Sequence, residues 1–266
     1  MSPDGEILAA FELERLMYRA AAERFERVGC GFVAANGSIP NVWDASRVQV
    51  EPDCEPPSLD ELLELAELPT RWFPQLRHRK VFICGSEAGR ELAFSLARQS
   101  WHVTELALMV RRDPPGSVPP TADRLDGVAR NRLKGRLGVE QGLPPGSAGE
   151  FDRFDELRAR AAARITHGGF EGSIALSVAD TYLRGDIAVI EDVATLRRAR
   201  GRGLASAAVL AATSAALRLS ARAVYLFSGP DVARDFYDPL GFERIGGAWD
   251  CQLAPPGEEA PWARAS

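Results

Sequence analysis

The run Arg198-Ala199-Arg200-Gly201-Arg202-Gly203 combines two things a phosphate group needs. Arginines supply fixed positive charge, and glycines let backbone N–H groups approach closely. An apolar stretch at residues 187–195 precedes the run, and an alanine-rich stretch at 204–219 follows it. A helix starting at Leu204 leaves its first N–H groups unpaired and carries partial positive charge there. The run therefore reads as a seat for a pyrophosphate, with a solvated basic face or a nucleic-acid patch as the competing reading. Two carboxylates, Glu191 and Asp192, stand just before it, and Tyr237 follows it. A carboxylate can bind an amine or take its proton. A tyrosine, with a pKa near ~10, remains a proton donor at neutral pH. The competing reading is an ordinary surface carboxylate for the acids and a packed side chain for Tyr237.

These residues must be held by regular elements. Residues 173–182 and 187–195 have strand character and are joined by a turn at Leu183-Arg184-Gly185-Asp186. A helix over 204–219, a strand over 223–228, a short helix over 232–240 and strand material over 242–253 follow. Upstream, a helix is expected over 151–165. In the first half, a helix over 6–27 carries two apolar stripes, and strands are expected at 31–35 and 48–50. Ser58 caps a helix over 59–68, with Glu61 completing a capping box. A strand at 80–84, a helix at 91–99 and a strand at 103–111 come next. Asp113-Pro114-Pro115-Gly116 and Pro119-Pro120 can continue neither element. The expected domain cut falls there, giving residues 1–115, residues 116–254 and a mobile tail at 255–266.

The order strand, Arg/Gly loop, helix, strand, aromatic-Tyr helix and Gly-Phe resembles the GNAT superfamily of N-acetyltransferases. Its acyl-CoA loop, Gln/Arg-x-x-Gly-x-Gly/Ala, is matched by Arg198, Gly201 and Gly203. Its aromatic-Tyr-x-x-Leu-Gly-Phe run is matched by Phe236-Tyr237-Asp238-Pro239-Leu240-Gly241-Phe242. The resemblance covers roughly residues 150–253. It implies that N–H groups of Ala199, Arg200, Gly201, Arg202, Gly203 and Leu204 hold the pyrophosphate of acetyl-CoA. It further implies that Val193 and Thr195 pair with the pantetheine arm, that an N–H near Val193 polarises the thioester carbonyl, and that Tyr237 protonates the departing thiolate. A primary amine is mostly protonated at neutral pH, so a base or a water relay is needed. Strand alternation puts Glu191 on the side of Val193 and Thr195 and Asp192 on the other, which favours Glu191 as base with Asp192 second. Pro239 shortens or kinks the helix that carries Tyr237.

The first half parallels this order loosely, as a degenerate acetyltransferase-like domain or an unrelated cap. The phosphate-loop position in it is taken by Gly85-Ser86-Glu87-Ala88-Gly89, which lacks the motif's spacing and carries an acid. The expected fold is thus α/β, an α+β mixed sheet in two tandem acetyltransferase-like domains, with the acyl-CoA loop in the second. A formal net charge of -5 argues against nucleic acid as partner. No window reaches the ~20 apolar residues of a membrane span. Three histidines and four scattered cysteines show no metal-ligand spacing, so no metal is expected, and a cytoplasmic location is. The acceptor is expected to be an amine on a small molecule or a protein, an aminoglycoside included. An acyl-CoA-binding regulatory or scaffold protein without turnover is the alternative.

Overall fold

A computed structural model describes residues 3–144 and 146–257; of the expected mobile tail, residues 258–266 lie outside the described residues. In chain order the elements are α1 (Pro3–Ala21), β1 (Arg24–Val28), β2 (Gly31–Ala35), β3 (Arg47–Val50), α2 (Leu59–Ala66), α3 (Leu68–Trp72), β4 (Arg79–Cys84), α4 (Glu87–Ala97) and β5 (His102–Arg111). Then come β6 (Ala122–Arg124), α5 (Gly127–Gln141), α6 (Ser147–Arg158), β7 (Ala163–Glu171), β8 (Ile174–Arg184), β9 (Ile187–Thr195), α7 (Leu204–Arg218), β10 (Ala223–Ser228) and β11 (Glu243–Leu253). Two compact units share them, interleaved along the chain. Among the described residues, the first takes those up to 107, 149–158 and those from 246 onward, and the second takes 108–148 and 159–245.

In the first unit, β1, β2 and β3 form an antiparallel series, β3 pairs with β4 in parallel, and β4 pairs antiparallel with the end of β11. The parallel step requires a crossover, and α2 and α3 supply it. Ser58 and Glu61 form the expected capping box at the start of α2. The second unit repeats the plan. Strands β6, β7, β8 and β9 are antiparallel neighbours, and β9 pairs with β10 in parallel through the crossover helix α7. This repeated order is the expected tandem α/β arrangement.

Three expected boundaries move. The helix expected over 6–27 stops at Ala21, and residues 24–28 pair with β2 as a strand. Phe25 continues the helical spacing, but pairing along the wholly buried β2 overrides that local pattern. The helix expected over 151–165 ends at Arg158, because Ala163 onward pairs with β8. The segment 85–89 is no phosphate loop. It opens α4, where the Ser86 hydroxyl accepts from Gly89 N–H at 3.0 Å and Gly85 N–H donates to Gly247 at 2.8 Å. The true counterpart of the Arg/Gly loop is residues 51–58, between β3 and α2. There Pro52, Pro56 and Pro57 lack N–H groups, and the buried Glu51 carboxylate is paired with Arg15 and Arg27.

Candidate functional site

The Arg/Gly loop is pinned by its apolar residues and opens through its polar ones. Leu196, Ala199 and Leu204 are buried in a cluster with Leu133 and Leu137 of α5 and Leu176 and Val178 of β8. Between these anchors Arg197, Arg198, Arg200, Gly201, Arg202 and Gly203 are exposed. The Glu140 carboxylate accepts from Arg197 N–H at 2.8 Å, and residues 197–199 form one 3-10 turn. Gly201 and Gly203 both have φ of +74°, a conformation that favours glycine, and open space lies beside each. Gly203 caps α7 with no side chain taking the free N–H groups. Among the described residues, Gly201, Arg202, Gly203, Leu204, Ala205 and Ser206 donate no backbone hydrogen bond. Arg202 pairs with Glu171 at 2.9 Å, Arg200 Nε reaches the Thr195 carbonyl at 3.4 Å, and Arg198 has no ion pair among the described residues. Unpaired N–H groups, open glycines and exposed guanidinium groups are what a pyrophosphate requires, so the residues fit that group.

Residues that sequence reasoning missed hold the start of α7. Ser177, fully buried on β8, donates its hydroxyl hydrogen to the Leu204 carbonyl at 2.9 Å and accepts from Gly169 N–H at 3.0 Å. A Cβ on Gly169 would come within 2.4 Å of the Leu204 carbonyl oxygen, so glycine is what allows this approach. The signal was present as Gly168-Gly169, which reads as a turn when the strand around it goes unrecognised.

Beside the loop, β9 has an open edge. It pairs with β10 only through Ile187, Ala188 and Val189, and residues 190–195 have no partner on β10. An extended ligand can add to such an edge by backbone hydrogen bonds, with Val193 and Thr195 placed on it. Facing β8, the same segment carries a bulge. Glu191 pairs with Asp180 and Ala194 with Val178, so Asp192 and Val193 together oppose Ala179. Asp192 has φ of +55°. A left-handed non-glycine residue costs about 1–2 kcal/mol, and aspartate tolerates it better than most.

The bulge overturns the expected parity. Directly paired residues share a face. Glu191 therefore lies on the face of Asp180, and Thr195 on that of Ser177, which meets α7. Glu191 and Thr195 are on opposite faces, because the one extra residue resets the alternation.

On the Glu191 face lies a buried charge network. Asp180 is fully buried and accepts from Arg130 Nε at 3.0 Å on each oxygen, and from the Thr166 hydroxyl. Arg130 is itself 1% exposed. Lys134, four residues on and on the same side of α5, lies 3.5 Å from Asp180 and 2.9 Å from Asp192. Sequence reasoning missed all of α5, and an arginine in a core gives no apolar signal.

Tyr237 closes the set. Residues 233–237 form one wide helical turn, and Asp238, Pro239 and Leu240 form a 3-10 turn, so Pro239 does shorten the helix. The Tyr237 ring is buried, edge-on to Phe236 at 4.8 Å and to Phe242 at 5.7 Å. Burial pushes its pKa above the ordinary value of 10.0, which keeps it a proton donor. The Arg111 guanidinium donates to the Leu240 carbonyl and holds the turn.

The acetyltransferase (GNAT) family matches residues 149–242. No curated protein sequence matches the chain. Among solved structures, a functionally unknown conserved protein from Staphylococcus epidermidis aligns with a TM-score of 0.66 at 11% identity, over 88% of this chain and 94% of that one. A GCN5-related N-acetyltransferase from Kribbella flavida aligns at 0.62 and 18% identity, over 94% and 95%. A tandem GNAT protein from the clavulanic acid biosynthesis pathway aligns at 0.53 and 14% identity, over 97% and 98%. These likenesses are of fold. The stretch 149–242 that matches the GNAT family carries the pinned Arg/Gly loop, the open β9 edge and the Tyr237 turn.

Proposed function

We propose that the second unit is an acyl-CoA-dependent N-acetyltransferase that moves an acetyl group from acetyl-CoA to a primary amine by direct attack in a ternary complex. The observation that carries this is the exposed loop with unpaired N–H groups from Gly201 to Ser206, set beside a β9 edge that β10 leaves open. When bound, acetyl-CoA supplies an acyl thioester. Gly201, Arg202, Gly203 and Leu204 would seat its pyrophosphate, with Arg198 and Arg200 adding charge, whereas the N–H groups of Ala199 and Arg200, expected to join them, donate to the Leu196 and Arg197 carbonyls instead. Val193 and Thr195 would pair with its extended arm, and the backbone around Val193 would polarise its carbonyl. Tyr237, kept protonated by burial, would give its proton to the leaving sulfur. Glu191 is the preferred base or amine-binding carboxylate, with Asp192, which accepts from Lys134 at 2.9 Å, second.

The first unit is proposed as the degenerate partner. Its loop offers three prolines and a paired carboxylate where the second unit offers glycines and arginines. Its β3 is four residues long and pairs over three of them with β4, leaving no comparable open edge. All four cysteines are free, in keeping with a reducing compartment such as the cytoplasm. Among the described residues, no helix is long and apolar enough to cross a membrane. The acceptor is an amine of a small molecule or of a protein.

A thermal-shift titration tests the seat. Acetyl-CoA at 100-fold its Kd stabilises the native state by about 2.7 kcal/mol. No shift at saturation would refute the cofactor assignment. A thiol-release assay over a panel of amines then separates an enzyme from a protein that binds acyl-CoA without turnover.

A further inference from the structure

The bulge in β9 is held from outside its own strand. Asp192 adopts φ of +55°, and its carboxylate accepts from Lys134 Nζ at 2.9 Å. That ammonium is placed in turn by the Asp180 carboxylate at 3.5 Å. Asp180 is fixed by Arg130 and Thr166 in the closed interior, and α5 is fixed by buried Leu133 and Leu137. Lys134 has 16% of its side chain exposed and Asp192 has 39%, so the pair sits at the border between core and open strand. A chain of contacts thus runs from the packed helix to the two residues that break the β8 ladder.

We propose that Lys134 is a positioning residue of the transfer reaction, which through Asp192 fixes the bulge and with it the backbone of Val193. The proposal rests on the acetyltransferase reading and extends it. Asp192 is a strut in this arrangement and Glu191 keeps the base role. Lys134 acts through the Asp192 carboxylate. Its loss therefore affects the chemical step through geometry, whereas the seat at 201–204, held by Leu196, Leu204 and Ser177, stays in place.

The test compares wild type, Lys134→Met and Lys134→Arg. Amide hydrogen exchange of the peptide spanning 190–196 is read without ligand, alongside the thermal shift by acetyl-CoA and the kcat and KM of amine acetylation. In Lys134→Met, exchange at 190–196 is expected to accelerate and kcat to fall about tenfold or more, since small misplacements are costly at a reacting centre. The shift and the KM for acetyl-CoA are expected to stay within about twofold, and Lys134→Arg to recover both readouts. Unchanged exchange in Lys134→Met overturns the brace. Faster exchange with wild-type kcat overturns the positioning role. Parallel losses of kcat and acetyl-CoA affinity that arginine does not rescue overturn it as well, by showing general disruption. If wild type neither shifts with acetyl-CoA nor releases thiol, the acetyltransferase reading fails and the positioning role with it, while exchange still reports the brace.

Discussion

Gly169→Ala should displace the cofactor seat by pressing on the first residue of the helix that forms it. A Cβ there lies 2.4 Å from the Leu204 carbonyl oxygen, 2.5 Å from Ser177 Oγ and 2.8 Å from Leu204 Cβ. Carbon atoms pack comfortably at about 3.5–4.0 Å, so the first turn of α7 must retreat by roughly 1 Å. None of the three neighbours can yield by rotating away freely. One is backbone, one is a buried hydroxyl with two hydrogen bonds, and the third belongs to a buried leucine. Overpacking of this kind costs about 1–3 kcal/mol, and each of the two hydrogen bonds strained adds about 1 kcal/mol at most. A total near 2–4 kcal/mol lowers Tm by roughly 5–15 °C at about 2–4 °C per kcal/mol. Because the retreating turn carries the unpaired N–H groups of Leu204, Ala205 and Ser206, the Kd for acetyl-CoA should rise about tenfold, or 1.4 kcal/mol. Gly172→Ala is the control. It has φ of +59° with open space around it, so it carries left-handed strain of about 1–2 kcal/mol with no push on α7. Calorimetric melting and isothermal titration with acetyl-CoA measure both variants. A Gly169→Ala protein that loses stability yet binds acetyl-CoA like Gly172→Ala would refute the link between this contact and the seat.

Tyr237→Phe keeps the ring contacts with Phe236 and Phe242 and removes only the proton donor. Turnover should fall about a hundredfold with the acetyl-CoA thermal shift intact, and wild-type turnover would remove the acid role. In the first unit, His78 is buried, stacked on Trp43 at 4.6 Å, with Nε2 3.2 Å from the Trp43 carbonyl and with Lys80 and Asp44 as its charged neighbours. Burial lowers its pKa from 6.5 to about 4. A depressed folded pKa means that stability is present above pH 6.5 and is lost as pH falls toward 4, by up to about 3 kcal/mol at 1.36 kcal/mol per unit. Urea unfolding at pH 7 and pH 4.5 should show this loss in wild type and a smaller one in His78→Gln. Equal losses would refute the assignment.

The features that reside in the backbone were legible in the sequence, and those that depend on pairing across the sheet were not. Gly201, Gly203 and the helix they open could be read because glycine and an alanine-rich run act locally, within a few residues. Ser58 and Glu61 were readable for the same reason, their capping box closing over three residues. Helix α5 was not readable. Three glycines and four cationic residues mask the Leu133 and Leu137 stripe, and Arg130 is buried only because Asp180, fifty residues away, receives it. Strand β7 was hidden by Gly168-Gly169, which look like a turn until the α7 carbonyl that needs their bareness is in place. The bulge shows the limit most sharply. Parity along 187–195 is a sound local rule, but one unpaired residue at Asp192 and Val193 reverses it for everything beyond. Glu191 and Thr195 thus part company, Thr195 facing α7 and Glu191 facing the Arg130–Asp180 network. Alternation therefore no longer separates Glu191 from Asp192 as the base, and what the fold adds is that the Asp192 carboxylate already accepts from the ammonium of Lys134.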